Sequence, residues 1–289
     1  MWVAAFFCFM NTLRFNDLPP LLREIPGPPT TLYARGAALR ADAFYVAIVG
    51  TRLPSRYGLE MAYSISSALA EASAVIVSGL AFGVDAQAHR AAIDLDKPTI
   101  AVLASGVDSV TPSSHIGLAE KILGGGGTLL SEYERFDSAH KYRFLERNRI
   151  ISGLCNATIV IEAKEKSGAL ITARHAFDQG RDVYALVGDI SKPQALGALS
   201  LIRKDMARPI VSIEGLMEDL GLDRRASQME ILNDKESAIL NVLETGAQGS
   251  SALFEKSGMH INELNGILSM LELRGLVRRL ADGRFEIIH

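Results

Sequence analysis

The sequence predicts an α/β protein with a doubly wound, mostly parallel sheet, followed by a small C-terminal winged-helix domain. Between residues 45 and 187, short, continuously apolar, β-rich runs alternate with longer amphipathic stretches. That is the pattern of strands buried on both faces and joined by crossover helices. Glycine- and serine-containing segments follow several of those runs, where a parallel sheet places its strand-to-helix loops. After Gly221 the pattern changes to three short helical stretches and a terminal pair of strands.

Taken in order, residues 1–40 read as a proline-rich arm, 41–222 as a Rossmann-like domain and 223–289 as a winged helix. Pro19, Pro20, Pro26, Pro28 and Pro29 exclude a long helix between Leu18 and Gly36, so that stretch is expected to wrap as an extended arm. Strands are expected at Tyr45 to Val49, Ala74 to Val77, Thr99 to Leu103, Thr128 to Leu130, Ala157 to Ile161 and Val183 to Val187. Leu59 to Glu71, Asp85 to Asp94 and Leu170 to Gln179 carry Ala, Leu and Ile at helical spacing, the stripe a covering helix needs. Gly106 to Pro112 and Gly124 to Gly127 are breaker clusters and read as loops. In the tail, helices at Glu236 to Glu244, Ser250 to Lys256 and Ile261 to Arg274 precede strands Leu276 to Leu280 and Arg284 to Ile288. Ala281-Asp282-Gly283 between them is a hairpin-turn signal.

Composition narrows the function. The chain is 48% hydrophobic and 22% charged, as a soluble globular protein is. Its net charge of −3 excludes a globally basic nucleic-acid binder, so any such site is a local patch. Two cysteines, Cys8 and Cys155, with no Cys/His cluster, indicate neither a disulfide framework nor a metal site. The apolar start, Trp2 to Met10, is too short to span a bilayer and lacks the flanks of a secretion signal. A cytoplasmic protein with no membrane partner is expected.

Four segments carry candidate chemistry. Gly50, at the end of the first run, lets a ligand approach the strand, and Arg52 adds charge. Ser78 and Gly79 open Ser78-Gly79-Leu80-Ala81-Phe82-Gly83-Val84-Asp85, an anion-binding concavity before a helix that Asp85 would cap. His89, one turn on, is more often a packed histidine than a catalyst. From Arg135 to Arg149 there are five Lys/Arg against two Asp/Glu. Lys141, Arg147 and Arg149 supply charge there, with Asn148 in an Arg-Asn-Arg turn, and Phe144 and Tyr142 are placed to stack bases. Ser167 and Gly168 start a helix after a further strand, with Thr172 on its next turn. No nucleophile elbow, Walker lysine or Cys/His couple occurs, so no catalytic residue, cofactor or metal is expected.

Together these strings resemble the DNA-processing protein A family (DprA, also called Smf) over roughly residues 18 to 205. The resemblance rests on Gly50-Thr51-Arg52 with Tyr57-Gly58, the Ser78-to-Asp85 string with Ala88-His89, and Ser131-Glu132. It continues through Phe144 with Arg147-Asn148-Arg149-Ile150-Ile151, and Glu162-Ala163 with Ser167 to Ala173. It implies a homodimeric, non-catalytic single-stranded DNA-binding protein that protects incoming strands in natural transformation and loads RecA recombinase. It also implies that Arg52, Ser78, Gly79, Lys141, Arg147, Asn148, Arg149, Ser167, Gly168 and Thr172 lie in or near the DNA pocket, with Arg147 and Arg149 open to a structural role through Glu132 or Glu162. The sequence departs from the family at Thr111-Pro112, Leu145, Val187-Gly188, Gly197-Ala198-Leu199 and Asp205-Met206, the last two expected at one rim of the pocket. The N-terminal helical domain of some members is expected to be missing.

Two other readings use the same residues: a small-nucleotide sensor or nucleotide N-glycosidase in the crevice, and a regulator whose winged helix reads duplex DNA. Ile261 to Leu273 contains Glu263 and Glu272 and no Lys or Arg, so phosphates would be repelled there. A protein-contact role is expected for the tail.

Overall fold

The computed structural model describes residues 10–222, 234–243, 246, 248–273, 276–280 and 283–287. They fall into two compact units, Met1–Asp223 and Arg224–His289. The expected arm over residues 1–9, the polar stretch after Gly221 from Asp223 to Gln228, and Ala281-Asp282 of the expected hairpin turn lie outside the described residues.

The first unit opens with β1 (Met10–Arg14), α1 (Pro20–Arg23) and β2 (Thr31–Gly36). Then come β3 (Tyr45–Val49), α2 (Arg56–Glu71), β4 (Val75–Ser78), α3 (Val84–Asp94) and β5 (Thr99–Leu103). These are followed by α4 (Ile116–Gly124), β6 (Thr128–Ser131), α5 (Lys141–Leu154), β7 (Ala157–Val160) and α6 (Gly168–Asp178). β8 (Asp182–Leu186), α7 (Pro193–Arg203), β9 (Arg208–Ile210) and α8 (Ile213–Asp219) complete the unit.

The nine strands form one sheet in the order β1-β2-β6-β5-β4-β3-β7-β8-β9. From β6 to β9 every pairing is parallel. β3 shows why its sequence is continuously apolar: Tyr45, Ala47 and Val49 enter the core on one face, beneath α5 and α6. Val46 and Ile48 enter the core on the other, beneath α2 and α3. The chain steps outward from β3 to β6 and then returns to β7 on the opposite side of β3. The switch point of the sheet, where such folds place ligands, therefore lies between the C-terminal ends of β3 and β7.

Two expectations change here. The proline-rich stretch does not wrap as a separate arm, because β1 and β2 extend the sheet through antiparallel pairing to β6. Leu18, Leu22, Ile25 and Leu32 bury themselves in the core, an apolar content that overrides the prolines. The Arg-Asn-Arg segment is not a turn but the middle of the 14-residue α5. No Pro or Gly interrupts Lys141 to Ser152, and Arg147, Ile150, Ile151 and Leu154 line its buried face. β9, absent from the sequence reading, is a three-residue edge strand containing Pro209, a position where proline costs no ladder bond.

In the second unit, α9 (Asp234–Leu243), α10 (Ser250–Ser257) and α11 (Ile261–Leu273) precede antiparallel β10 (Val277–Arg279) and β11 (Phe285–Ile287). Ile239, Leu243, Leu253, Leu264, Leu268, Leu271, Val277 and Phe285 form its core.

Candidate nucleic-acid interface

A crevice of about 620 Å³ opens at the switch point, within the size range of small-ligand sites. The β3–α2 loop gives Gly50, Thr51, Arg52 and Leu53, and α5 gives Lys141, Phe144, Leu145, Arg147 and Asn148. The β7–α6 loop and α6 give Lys164, Lys166, Ser167, Gly168 and Thr172, and Val49, Ala81, Asp85, Ile151 and Ala169 complete the lining. Lys141, Phe144, Leu145 and Asn148 share one face of α5 because they are spaced by three or four residues.

The first loop is locked in place from below. Buried Glu162 accepts from Ser55 Oγ at 2.6 Å and from the Ser55 amide at 2.8 Å, and its carbonyl accepts from the Thr51 amide at 2.6 Å. Ser55 in turn caps α2 by accepting from the Gly58 amide. Arg52 is left exposed, its guanidinium 5.3 Å from the centre of the Phe144 ring, a cation–π contact. Across the crevice, Ser167 caps α6, accepting from the Ala169 amide at 3.2 Å. A side chain on Gly168 would meet nothing within 4 Å, so that helix start stays open.

Nine of the twelve sequence-predicted residues line the crevice: Gly50, Arg52, Lys141, Phe144, Arg147, Asn148, Ser167, Gly168 and Thr172. Ser78, Gly79 and Arg149 do not. Ser78 is fully buried and donates to the Ile48 carbonyl at 2.6 Å, which ties β4 to β3. Arg149 is held by Glu132 at 2.6 and 2.7 Å, one of the two partners the sequence suggested. Gly50 is a glycine because of the protein rather than a ligand: a Cβ there would lie 2.5 Å from Val84 on α3. The Cβ of a side chain at Gly79 would likewise lie 2.6 Å from the Arg147 guanidinium.

Arg147 lines the crevice but is held from within the protein, through backbone carbonyls rather than Glu132 or Glu162. It is 4% exposed, and its guanidinium donates to the Gly79 carbonyl at 3.0 Å and to the Val102 carbonyl. It thus fastens α5 to the ends of β4 and β5. Asp85, buried beside the same loop, accepts from the Gly79 and Ala81 amides at 3.1 and 3.3 Å. Burial lowers the Arg147 guanidinium to about 10, against the pull of Asp85. It raises the Asp85 carboxyl, against Arg147 and the two amides. Desolvation outweighs mutual attraction at both groups.

The basic excess between Arg135 and Arg149 is therefore mostly spent inside the fold. Arg135 pairs with Asp108, Arg143 with Asp137 and Arg149 with Glu132, and Arg147 is buried. The exposed charge comes instead from Arg52, Lys141, Lys164 and Lys166, none of which joins an ion pair among the described residues. Lys164 and Lys166 were missed as site residues. Their signal was present, two lysines flanking Glu165 just after an apolar run. Asp205 lies away from the crevice. It sits beyond the C-terminal end of α7 at φ 55°, at the opposite edge of the sheet from the loop that precedes that helix. The left-handed conformation explains why glycine suits this position better. Gly197, by contrast, packs against the Ala163 carbonyl, where a Cβ would come within 2.5 Å.

Comparison with known proteins places these features in a family. The profile of DNA recombination-mediator protein A matches residues 10–221, and that of the DprA winged helix domain matches residues 223–283. Protein Smf of Synechocystis is 39% identical over 252 residues, which cover 83% of this chain and 63% of that protein. The chain thus spans less than two thirds of that relative. The DNA processing protein DprA of Bacillus subtilis is 39% identical over 214 residues, 73% of this chain and 71% of that protein. Among solved structures, Streptococcus pneumoniae DNA processing protein A superposes with a TM-score of 0.66 at 36% identity, covering 72% of this chain and 74% of that one. The Helicobacter pylori protein, solved for its single-stranded DNA binding mode, gives 0.67 at 31%, covering 75% and 98%.

Proposed function

The chain belongs to the DNA recombination-mediator protein A family, and on that premise we propose that it binds single-stranded DNA through the switch-point crevice, with little dependence on sequence. The observation that carries this reading is the set of four exposed cations, outside any ion pair among the described residues, that line one crevice together with a partly buried aromatic ring. Arg52, Lys141, Lys164 and Lys166 take phosphates, and Phe144 offers a face to a base, the combination single strands need. The amide-rich start of α6 adds a further anion-favouring group. The protein acts by holding the strand rather than by converting it, because the one carboxylate in the crevice, Asp85, is already engaged by two amides. In the cell it protects incoming strands and loads RecA recombinase during natural transformation, as a cytoplasmic homodimer. The winged helix contacts protein rather than duplex DNA.

Titration of an oligothymidine against the full chain at several salt concentrations tests the reading. Four phosphate contacts give a slope of log K on log salt of about −3, and changing Arg52 and Lys141 together to Glu is expected to abolish binding. Salt-independent affinity overturns the proposal. Strong thermal stabilisation by a mononucleotide, or release of free base, favours a nucleotide sensor or N-glycosidase in the same crevice.

A further inference from the structure

Beyond the crevice, the C-terminal edge of the sheet carries exposed rings that no core uses. Phe82 follows β4 and is 45% exposed, Phe136 follows β6 and is 71% exposed, and Tyr142 on the first turn of α5 is 56% exposed. Two of them have a built backing on one face. The Arg135 guanidinium lies 4.9 Å from the centre of the Phe136 ring. The His140 ring stacks on Tyr142 at 5.8 Å and an interplanar angle of 11°.

The loop that presents them is held firmly. The Gly106 amide donates to the Asp137 carbonyl at 2.9 Å, and the Asp108 amide to the Arg135 carbonyl at 3.0 Å. Arg143 reaches the Ser138 carbonyl at 3.0 Å and the Asp137 carboxylate at 3.0 Å. Phe136 stands between Arg135 and Asp137 with Glu134 and Ser138 beyond them, so its neighbours along the chain are all polar. Partner proteins dock on contiguous apolar area. A single backed ring with an open face fits a nucleobase, which brings its own flat surface and keeps its polar edge in water.

We infer that the single strand continues from the crevice over Lys141 to a second, stacking subsite formed by Tyr142 and Phe136, which takes bases flanking the one at Phe144. Continuity supports this occupant: Lys141 lines the crevice and Tyr142 is the next residue of the same helical turn. β3 and β6 are three strand spacings apart in the sheet, about 14 Å, a length spanned by about four stacked nucleotides. The inference rests on the proposed single-strand binding at the crevice.

The test compares an oligothymidine of about four nucleotides, which fills the crevice alone, with one of about twelve. Phe136→Ala and Tyr142→Ala in the full chain are expected to weaken the longer oligomer by roughly five- to a hundred-fold. They are expected to leave the shorter one and the salt slope unchanged, since stacking releases no counterions. Trp2 is the only tryptophan, so Phe136→Trp in a Trp2→Phe background gives a local probe, expected to be quenched by the longer oligomer only. Equal affinity of wild type and both alanine variants for the longer strand, with no quenching at saturation, overturns the subsite while leaving crevice binding intact. Failure of the wild type to bind either oligomer overturns both readings.

Discussion

Replacing Arg147 distinguishes a strut from a phosphate ligand. Arg147→Met keeps most of the side chain's apolar volume and removes the guanidinium that holds the Gly79 and Val102 carbonyls. Hydrogen bonds from a charged donor contribute about 1.5–3 kcal/mol each, and removing one member of a buried charged network costs about 3–5 kcal/mol. Asp85 remains behind in a buried site whose cationic neighbour opposed the rise of its carboxyl, which places the effect toward the upper end of that range. For a domain of this size, the loss corresponds to a fall in Tm of about 10 °C, read by calorimetry of the full chain. Arg147→Lys keeps the charge on a shorter side chain with a smaller head group and is expected to fall between. The salt slope of single-strand binding, measured on the folded population at low temperature, is expected to stay at the wild-type value. A slope smaller by about 0.7 with unchanged stability would refute the strut and restore Arg147 to the DNA-contacting set.

Two further outcomes follow from buried groups. Burial lowers His89 to about 3, and its Nδ1 sits 2.8 Å from a Thr99 hydroxyl that already donates to Ile76, so the imidazole is neutral with Nδ1 donating. The unfolded chain binds the proton more readily, so stability present above about pH 6.5 is lost as pH falls toward 3, by on the order of 4 kcal/mol. Asp85, with its raised carboxyl, works in the opposite sense, so His89→Gln isolates the effect. Urea unfolding of that variant is expected to be much less acid-sensitive, and an unchanged pH profile would count against the assignment. Gly50→Ala forces a Cβ to within 2.5 Å of Val84 and is expected to cost about 1–3 kcal/mol by overpacking. Gly50→Ala combined with Val84→Ala is expected to recover part of it, whereas additive losses in a double-mutant cycle would refute the contact.

The parallel strands β3 to β8 were legible because each buries both faces, and so reads as an apolar run, whereas the exposed edge strand β9 was not. The helix carrying Arg147 was not. Its buried face includes a charged arginine and an amide, which erase the apolar stripe that periodicity detects. β1 and β2 were hidden by the prolines around them, and β6, which ties β2 to the rest of the sheet, lies about a hundred residues away in sequence. The loops that build the site were located from glycine and serine beside strand ends. Sequence could not tell a glycine emptied for a ligand from one emptied for Val84 or Arg147, because the side chain that fills the space comes from a distant segment.

The same distinction governs the charges. One guanidinium nitrogen carries two N–H donors, and this chain spends Arg147 on two carbonyls and Arg149 on a carboxylate in that way, one buried and one paired. The cations left for a ligand are three lysines and Arg52, exposed and spread over the β3–α2 loop, α5 and the β7–α6 loop. Counting basic residues along the chain therefore points to α5, whereas counting unpaired ones points to the space between α5 and the β7–α6 loop. A rim of separate charges holds a backbone without dictating base order, and Asp85 in the crevice and Glu162 beneath its first loop are turned inward onto amides and a hydroxyl. Binding that depends on these lysines weakens with salt, whereas the frame that aims them, built from buried hydrogen bonds, is screened far less.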